Sequence, residues 1–182
     1  MSVAAIVLAG GQASRMGGAD KASVEYLGRT LLEHALDALV DADEVVVVGD
    51  PVPTTRPVTF TRESPRHGGP VAALLTGRDA LMRTPATLEV LAVDMPWVTA
   101  WTFRRLVDAA AGHDGAFLTD TDARRQLAGV LDVRRLNAVR PDLEAQHGMA
   151  LRSLLADLDL AEIAPEGDEG RDIDTWADLR DL

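Results

Sequence analysis

The alternation of short β-rich runs with longer helical patterns is the strongest constraint on this chain's fold. Four runs have the composition of strands, and they cover residues 3–9, 44–48, 58–61 and 88–93. Three of the four are nearly all apolar, which is typical of strands buried on both faces in a helix-covered parallel sheet. Because helical patterns separate the runs, the sequence predicts an α/β fold with a mostly parallel central sheet.

The rest of the chain continues this alternation. Apolar residues at helical spacing predict helices, which cover residues 31–39, 71–81, 102–111, 151–158 and 175–182. A further strand is expected near 127–133, and the polar, glycine-containing segment 165–171 is expected to be a loop. Since no internal repeat, low-complexity tract or linker divides the sequence, we expect one domain over residues 1–182.

Composition limits the partners of the chain. It has 18 Lys and Arg against 29 Asp and Glu, and the resulting net charge of -11 disfavours nucleic acid as a partner. It has no cysteine, which excludes disulfides and thiolate metal sites. The apolar start is too short for a membrane span and lacks a signal peptide's basic flank, so we expect a cytoplasmic protein without a membrane partner.

A glycine-rich stretch, LAGGQASRMGGADK, occupies residues 8–21 and follows the first predicted strand. Open parallel sheets bind ligands at the carboxyl ends of their strands. The glycines allow a sharp turn and a close approach of backbone N–H groups to an anion. Arg15 adds a planar guanidinium group and Lys21 a compact ammonium group, and both groups can bind phosphate oxygens. The stretch therefore predicts a phosphate-binding loop, the alternative being a plain glycine-rich connection with solvated charges.

The same stretch resembles the signature of the molybdenum cofactor guanylyltransferases, in which LAGG, RMGG and DK follow one another at this spacing. Further matches are Gly68-Gly69-Pro70, Asp94-Met95-Pro96 and Asp172-Ile173-Asp174-Thr175. The resemblance implies a three-layer α/β/α, Rossmann-like GT-A nucleotidyltransferase fold. It also implies Mg²⁺-dependent transfer of GMP from GTP to the phosphate of molybdopterin, release of pyrophosphate, and transient contact with molybdoenzymes or cofactor-delivery proteins.

The resemblance also implies roles for individual residues. Arg15 and Lys21 are expected to hold the triphosphate and the leaving pyrophosphate, and with Asp94 they form the expected catalytic set. Glu63 is expected to accept hydrogen bonds from N1–H and the amino group of guanine, which a carboxylate matches with two coplanar oxygens. The expected nucleotide-binding residues are Leu8, Ala9, Gly10, Gly11, Arg15, Gly17, Gly18, Lys21 and Glu63.

Two aspartates are the expected ligands of the Mg²⁺ ion. Asp94 directly follows the apolar run 88–93, so the sheet would hold its carboxylate at the ligand-binding edge, and Mg²⁺ prefers one or two protein carboxylates with phosphate oxygens and water. The alternative for Asp94 is a turn-capping role. The resemblance favours Asp174 as the second ligand, although aspartates replace both asparagines of the family's segment. The acidic pair in residues 120–122 is expected to lie in a solvated loop.

Other functions are compatible with these motifs. Related nucleotidyltransferases transfer CMP to molybdopterin, or GMP to phospholactate or a sugar phosphate, and the DIDT ending is similar to that of phospholactate guanylyltransferases. A nucleotide-binding regulator without turnover is a further alternative, against which Arg15, Lys21 and Asp94 argue. The four histidines are scattered, so no histidine metal site is expected.

Overall fold

A computed structural model describes residues 2–10, 20–120, 122, 124–175 and 177–179 of the chain. Its strands are β1 (Val3–Leu8), β2 (Glu25–Tyr26), β3 (Arg29–Thr30), β4 (Glu44–Val48), β5 (Thr59–Thr61), β6 (Thr87–Ala92), β7 (Gly115–Thr119), β8 (Arg125–Asp132) and β9 (Leu160–Ile163). Its α-helices are α1 (Leu31–Ala38), α2 (Pro70–Ala80), α3 (Ala100–Ala109), α4 (Val133–Ala138), α5 (Leu143–Gln146) and α6 (Leu151–Leu154).

The main sheet has the strand order β5-β4-β1-β6-β8-β7-β9 within the described part of the chain. The pairs β5–β4, β4–β1, β1–β6 and β7–β9 are parallel, whereas β8 runs antiparallel to both β6 and β7. The prediction of an α/β fold with a mostly parallel sheet is confirmed. Strands β2 and β3 form a separate hairpin that leads into α1.

Helices cover both faces of the sheet. Along β1, Ala5 and Val7 point into a core shared with α1 and α3, while Ile6 points into a second core shared with α2. All three residues are fully buried. This alternation explains why β1 is apolar at nearly every position, since successive side chains of a strand face opposite sides of the sheet.

The structure also corrects several predicted elements. The segment predicted as a helix over 151–158 is helical only over α6 and continues as turns. The closing helix predicted over 175–182 is wrong for the residues described, because Thr175 and residues 177–179 form bends and turns. The Asp178 carboxylate explains this conformation, since it accepts the backbone N–H groups of Asp174 and Thr175 and closes a turn there.

Other expectations hold with small shifts. The strand expected near 127–133 is β8, and residues 165–171 form the expected loop of turns. Strands β7 and β9 and the hairpin were not among the predicted elements. Among the described helices, none is long and apolar enough to span a membrane.

One charged residue lies deep in the sheet. Glu89 on β6 is 3% exposed, pairs with Ala5 and Val130 on the neighbouring strands, and has no hydrogen-bond partner for its Oε2 among the described residues. Burial, and secondarily the negative charge of Asp41, raise the pKa of Glu89 from 4.5 to about 7, against a smaller opposing effect of Arg56. Ionising Glu89 therefore destabilises the folded state.

We predict that Glu89→Gln stabilises the protein above pH 7. The pKa of Glu89 is higher in the folded than in the unfolded state, so its contribution to the free energy of unfolding falls as pH rises from about 4.5 to about 7. Over this range the free energy of unfolding of the wild type should fall by about 3 kcal/mol relative to that of the variant. Urea unfolding at several pH values measures the difference. Glu144→Gln, at an exposed position of α5, is the control, and parallel curves for Glu89→Gln and wild type would contradict the prediction.

Candidate active site

A cleft of about 1380 Å³ runs along the edge of the sheet where β1, β4 and β6 end. The segments that follow these strands line it, namely residues 9–10, 49–50 and 94–95. Because β8 runs antiparallel to β6, its beginning at residues 125–127 lies at the same edge and also lines the cleft. The sheet topology thus brings four separate segments of the sequence to one cavity.

An ion-pair cluster joins three parts of the chain at this cleft. Lys21, the only lysine of the sequence, donates one hydrogen bond from Nζ to Asp94 Oδ2 and another to Asp174 Oδ1, each 2.7 Å long. The side chains of Lys21 and Asp94 are 17% and 20% exposed, and that of Asp174 is 44% exposed. The expected proximity of Lys21 to Asp94 is therefore present in the structure.

The surroundings of Lys21 keep it charged. Partial burial alone would lower the pKa of Lys21, but the hydrogen bonds and charges of Asp174 and Asp94 outweigh this effect and raise it above 10.5. Asp20, which lines the cleft, caps the short 3-10 helix Lys21–Ser23 by accepting the backbone N–H of Ala22. Asp20 therefore stabilises the backbone conformation from which the side chain of Lys21 extends to the two aspartates.

The acidic side of the cluster is held by the backbone. Asp94 lies in the turn after β6, and its carbonyl oxygen accepts the N–H of Ile173 at 2.8 Å. Ile173 is fully buried and so holds the two aspartates on either side of it, Asp172 and Asp174, in place. Asp172 lines the cleft, and its pKa is raised by partial burial and by the negative charges of Asp174 and Asp94. Three aspartates thus create a local excess of negative charge at the cleft.

The donor set of this cluster fits a divalent cation. Asp94 and Asp174 already direct oxygens at one shared positive group, the ammonium of Lys21. Within the described ranges, no group of three or more His, Cys, Asp or Glu side chains is arranged to hold a metal ion by itself. Two carboxylates, completed by phosphate oxygens and water, match the ligand preference of Mg²⁺.

A buried network fixes the loop that precedes Asp172. Glu169, whose side chain is 7% exposed, accepts hydrogen bonds from Arg105 Nη1 at 2.8 Å and from the Thr102 hydroxyl. Its Oε2 also accepts the backbone N–H of Glu166, and Arg105 donates to the carbonyl of Ala164 at 2.7 Å. Helix α3 therefore holds the loop that leads to the aspartate segment, a contact that sequence spacing did not indicate.

The part of the cleft next to β5 contains the residue expected to bind the guanine base. Glu63 lines the cleft after β5, and its Oε1 accepts the N–H of His67 at 2.6 Å. The loop then passes through Gly68, where a Cβ would lie 2.8 Å from the Pro65 carbonyl oxygen, so only glycine fits without a shift of the backbone. Gly69 has φ of 89°, which also favours glycine.

Several predicted site residues can now be placed. Leu8, Ala9 and Gly10 line the cleft, as do Glu63 and Asp94. Asp120 closes a turn by accepting the backbone N–H groups of Asp122 and Arg124, so it serves the loop itself. Four predicted residues of the opening stretch lie outside the residues that the structure describes, namely Gly11, Arg15, Gly17 and Gly18.

Part of the cleft lining was not predicted from the sequence. Asp50 and Arg62 form an ion pair of 2.8 Å at one end, and Arg125 and Gln126 line the other end. Asp50 could have been found by its place two residues after a predicted strand. Arg125 and Gln126 could not have been found, because the antiparallel direction of β8, which brings them to this edge of the sheet, was not predicted.

Comparison with known proteins identifies the family. Residues 5–163 match the model of the MobA-like NTP transferase domain, and the chain belongs to this family of nucleotidyltransferases. A relative from Acidiphilium cryptum, named molybdenum cofactor guanylyltransferase, is 31% identical over 183 residues, which cover 96% of this chain and 91% of that protein. Several other curated relatives are matched over only 55% to 66% of their own length.

Solved structures support the fold. Molybdopterin-guanine dinucleotide biosynthesis protein A from Archaeoglobus fulgidus superposes with a TM-score of 0.71 at 18% identity, covering 98% of this chain and 95% of that one. Rv0371c from Mycobacterium tuberculosis, solved in complex with manganese, gives a TM-score of 0.73 at 16% identity and covers 100% and 98% of the two chains. These similarities confirm the GT-A-like nucleotidyltransferase fold.

We predict that Arg105→Met destabilises the protein far more than Arg104→Met. Arg105 is 16% exposed and pairs with buried Glu169, whereas its neighbour Arg104 is 59% exposed and pairs with the exposed carboxylate of Asp41. Removing Arg105 leaves a buried carboxylate without its cation, which costs about 3 kcal/mol, while the exposed pair contributes at most about 1 kcal/mol. Chemical denaturation of both variants measures the difference. Equal losses of stability would contradict the role given to the network.

Proposed function

We propose that residues 1–182 form a single nucleotidyltransferase domain that, with Mg²⁺, transfers GMP from GTP to the phosphate of molybdopterin. The products are molybdopterin guanine dinucleotide and pyrophosphate. The observation that carries the proposal is the cluster of Lys21, Asp94 and Asp174 at the cleft. The relative from Acidiphilium cryptum, which matches nearly the full length of this chain, supports the choice of GMP and molybdopterin.

The chemistry requires positioning and charge neutralisation rather than a strong base. An oxygen of the acceptor's phosphate, ionised at neutral pH, attacks the α-phosphorus of GTP. The new O–P bond forms while the bond from the α-phosphorus to the bridging oxygen breaks, and pyrophosphate leaves with that electron pair. Two like unit charges about 4 Å apart repel by roughly 4 kcal/mol at an effective dielectric of 20, so the site must supply positive charge.

The cluster has the groups for this task. Asp94 and Asp174 would hold Mg²⁺, which when bound would neutralise phosphate charge. Lys21, whose pKa the two aspartates raise in the ligand-free site, would exchange these partners for the anionic oxygens of the triphosphate. Arg15 and the glycines at 11, 17 and 18 would complete the triphosphate loop. The manganese in the Mycobacterium tuberculosis neighbour supports a divalent metal in this fold.

The base would lie at the end of the cleft that Glu63 lines. One oxygen of Glu63 is held by the His67 amide, which fixes the carboxylate at the cleft wall. Leu8, Ala9 and Gly10 would meet the nucleotide along the backbone. GTP and molybdopterin would be the small-molecule partners in the cytoplasm, and molybdoenzymes or cofactor-delivery proteins would make transient contacts with the enzyme.

We predict that Lys21→Ala lowers kcat/KM for GTP by roughly 10²-fold or more, as expected when a preorganised charge is removed from a transferred phosphoryl group. Pyrophosphate release, measured with each of the four NTPs and with molybdopterin, phospholactate or a sugar phosphate as acceptor, tests both the base and the acceptor. The proposal expects turnover with GTP and molybdopterin. Turnover with CTP would instead show a cytidylyltransferase, and turnover with phospholactate a phospholactate guanylyltransferase.

We also predict that Asp94→Asn abolishes most of this turnover while leaving the fold intact. The amide retains the shape of the side chain but loses the charge that pairs with Lys21 and would hold the metal. The same pyrophosphate assay, with far-UV circular dichroism as a check of folding, measures the effect. If Asp94→Asn leaves turnover unchanged, Asp94 is not the metal ligand; if the wild type binds GTP without turnover, the chain is a nucleotide-binding regulator.

A further inference from the structure

The loop that carries Glu63 follows a short strand at the edge of the described sheet. Strand β5 has three residues and pairs with β4, and the loop covers residues 62–69. Ser64, directly after Glu63, is exposed. An exposed loop after a short edge strand fixes a side chain only where other elements hold the loop. The orientation of the Glu63 carboxylate therefore depends on the contacts of this loop.

Helix α2 makes such a contact through Thr76. The Thr76 hydroxyl accepts the backbone N–H of Ser64 at 3.1 Å and donates to the Ser64 carbonyl oxygen at 3.4 Å. The Ser64 nitrogen is bonded to the carbonyl carbon of Glu63, so this contact holds the planar peptide group next to the Glu63 Cα. Thr76 is half-buried and is not among the residues that line the cleft. It can therefore act on a bound nucleotide only through the loop.

Thr76 is itself held in place by the packing of α2. The two residues before it, Leu74 and Leu75, are fully buried. They belong to one core with Ile6 of β1 and with Val48, the last residue of β4. Close packing keeps α2 in a fixed position on these strands, and the segments that follow β1 and β4 line the cleft. Thr76 thus connects the Glu63 loop to the strands whose ends form the cleft.

The Glu63 carboxylate is also held within its own loop. Its Oε1 accepts the N–H of His67 at 2.6 Å, while its Oε2 accepts no hydrogen bond from the residues that the structure describes. Guanine presents two neighbouring donors, N1–H and the 2-amino group, and a carboxylate can accept from both when its two oxygens lie in the plane of the base. Hydrogen bonds weaken steeply when their angles depart from this arrangement. Binding both donors therefore requires one orientation of Glu63.

We propose that Thr76 is a positioning residue that sets the preference of the cleft for guanine, by holding Glu63 in the orientation that accepts both donors; this rests on the function proposed above. Hypoxanthine, the base of ITP, has N1–H but lacks the 2-amino group. The preference for GTP over ITP therefore measures the second hydrogen bond to Glu63. Without the Thr76 hydroxyl, the loop no longer holds the carboxylate in the plane of the base, and the second hydrogen bond is lost.

Steady-state pyrophosphate release with GTP and with ITP, and with molybdopterin as acceptor, tests the role of Thr76. Thr76→Val keeps the shape of the side chain but removes the hydroxyl. It should reduce the preference for GTP over ITP roughly tenfold, as expected for loss of one hydrogen bond to a charged group. The loss should appear as a higher KM for GTP with kcat little changed, because contacts with the base are the same in the ground and transition states. A general loss of folded protein would instead reduce turnover of both nucleotides equally.

Three further variants serve as controls. Thr76→Ser keeps the hydroxyl and should keep the preference for GTP. Thr76→Ala should behave like Thr76→Val, so that the result does not depend on how valine packs. Thr54→Val should leave the preference unchanged, because Thr54 is also half-buried but its hydroxyl donates to the Arg56 carbonyl at 2.9 Å, and neither residue lines the cleft.

Glu63→Gln separates this inference from the proposed function. If Glu63→Gln loses the preference for GTP over ITP while Thr76→Val and Thr76→Ala retain it, the role of Thr76 is overturned and the proposed function stands. In the double variant, Thr76→Val should add nothing to the effect of Glu63→Gln, and additive effects would overturn an action through Glu63. A wild type that turns over neither nucleotide would overturn the proposed function, and the role of Thr76 with it.

Discussion

The double ionic contact of Lys21 with Asp94 and Asp174 is the interaction on which the site depends. It joins residues that are 73 and 153 positions apart in the sequence, and it brings Lys21, the turn after β6 and the segment 172–174 to one point. The aspartates would repel one another without a shared cation, and the pKa of Asp172 is raised by partial burial and then by this excess of negative charge. Lys21 compensates this charge in the absence of ligand, and in the proposed reaction Asp94 and Asp174 would hold the metal ion while the ammonium of Lys21 would bind the phosphates.

The fold supports this contact from two sides. Parallel pairing of β4, β1 and β6 brings their carboxyl ends to one edge, where short segments can face a ligand without disturbing the buried strands. From the other side, Arg105 and Glu169 fasten the loop before Asp172 to α3, and buried Ile173 bonds to the carbonyl of Asp94. The position of Asp174 is therefore set by packing and hydrogen bonds outside the cleft. Stability of the scaffold and geometry of the site are coupled through this loop.

The sequence predicted the parts of this arrangement that leave a local pattern. The apolar runs of β1, β4 and β6 were visible because both faces of each strand are buried, and Asp94 followed from its place after such a run. Asp174 was expected as a second metal ligand from resemblance alone, and its ion pair with Lys21 was not predicted, because nothing local connects residues so far apart in the sequence. Strand β7 and the antiparallel direction of β8 were not predicted, since the order and direction of strands in a sheet are tertiary properties, and Arg125, which lines the cleft at the start of β8, was missed with them. The closing helix was wrong because the Asp178 side chain competes for the backbone N–H groups that would begin it.

In the proposed reaction, the ammonium of Lys21 leaves its aspartates for the triphosphate of GTP. Since Lys21 is the only lysine, an amine-reactive reagent modifies this side chain and the terminal amine alone, and mass spectrometry follows both rates in one sample. We predict that GTP with Mg²⁺ slows modification of Lys21 strongly and leaves the terminal amine unaffected, while CTP protects Lys21 much less. Equal rates of Lys21 modification with and without GTP and Mg²⁺ would contradict it.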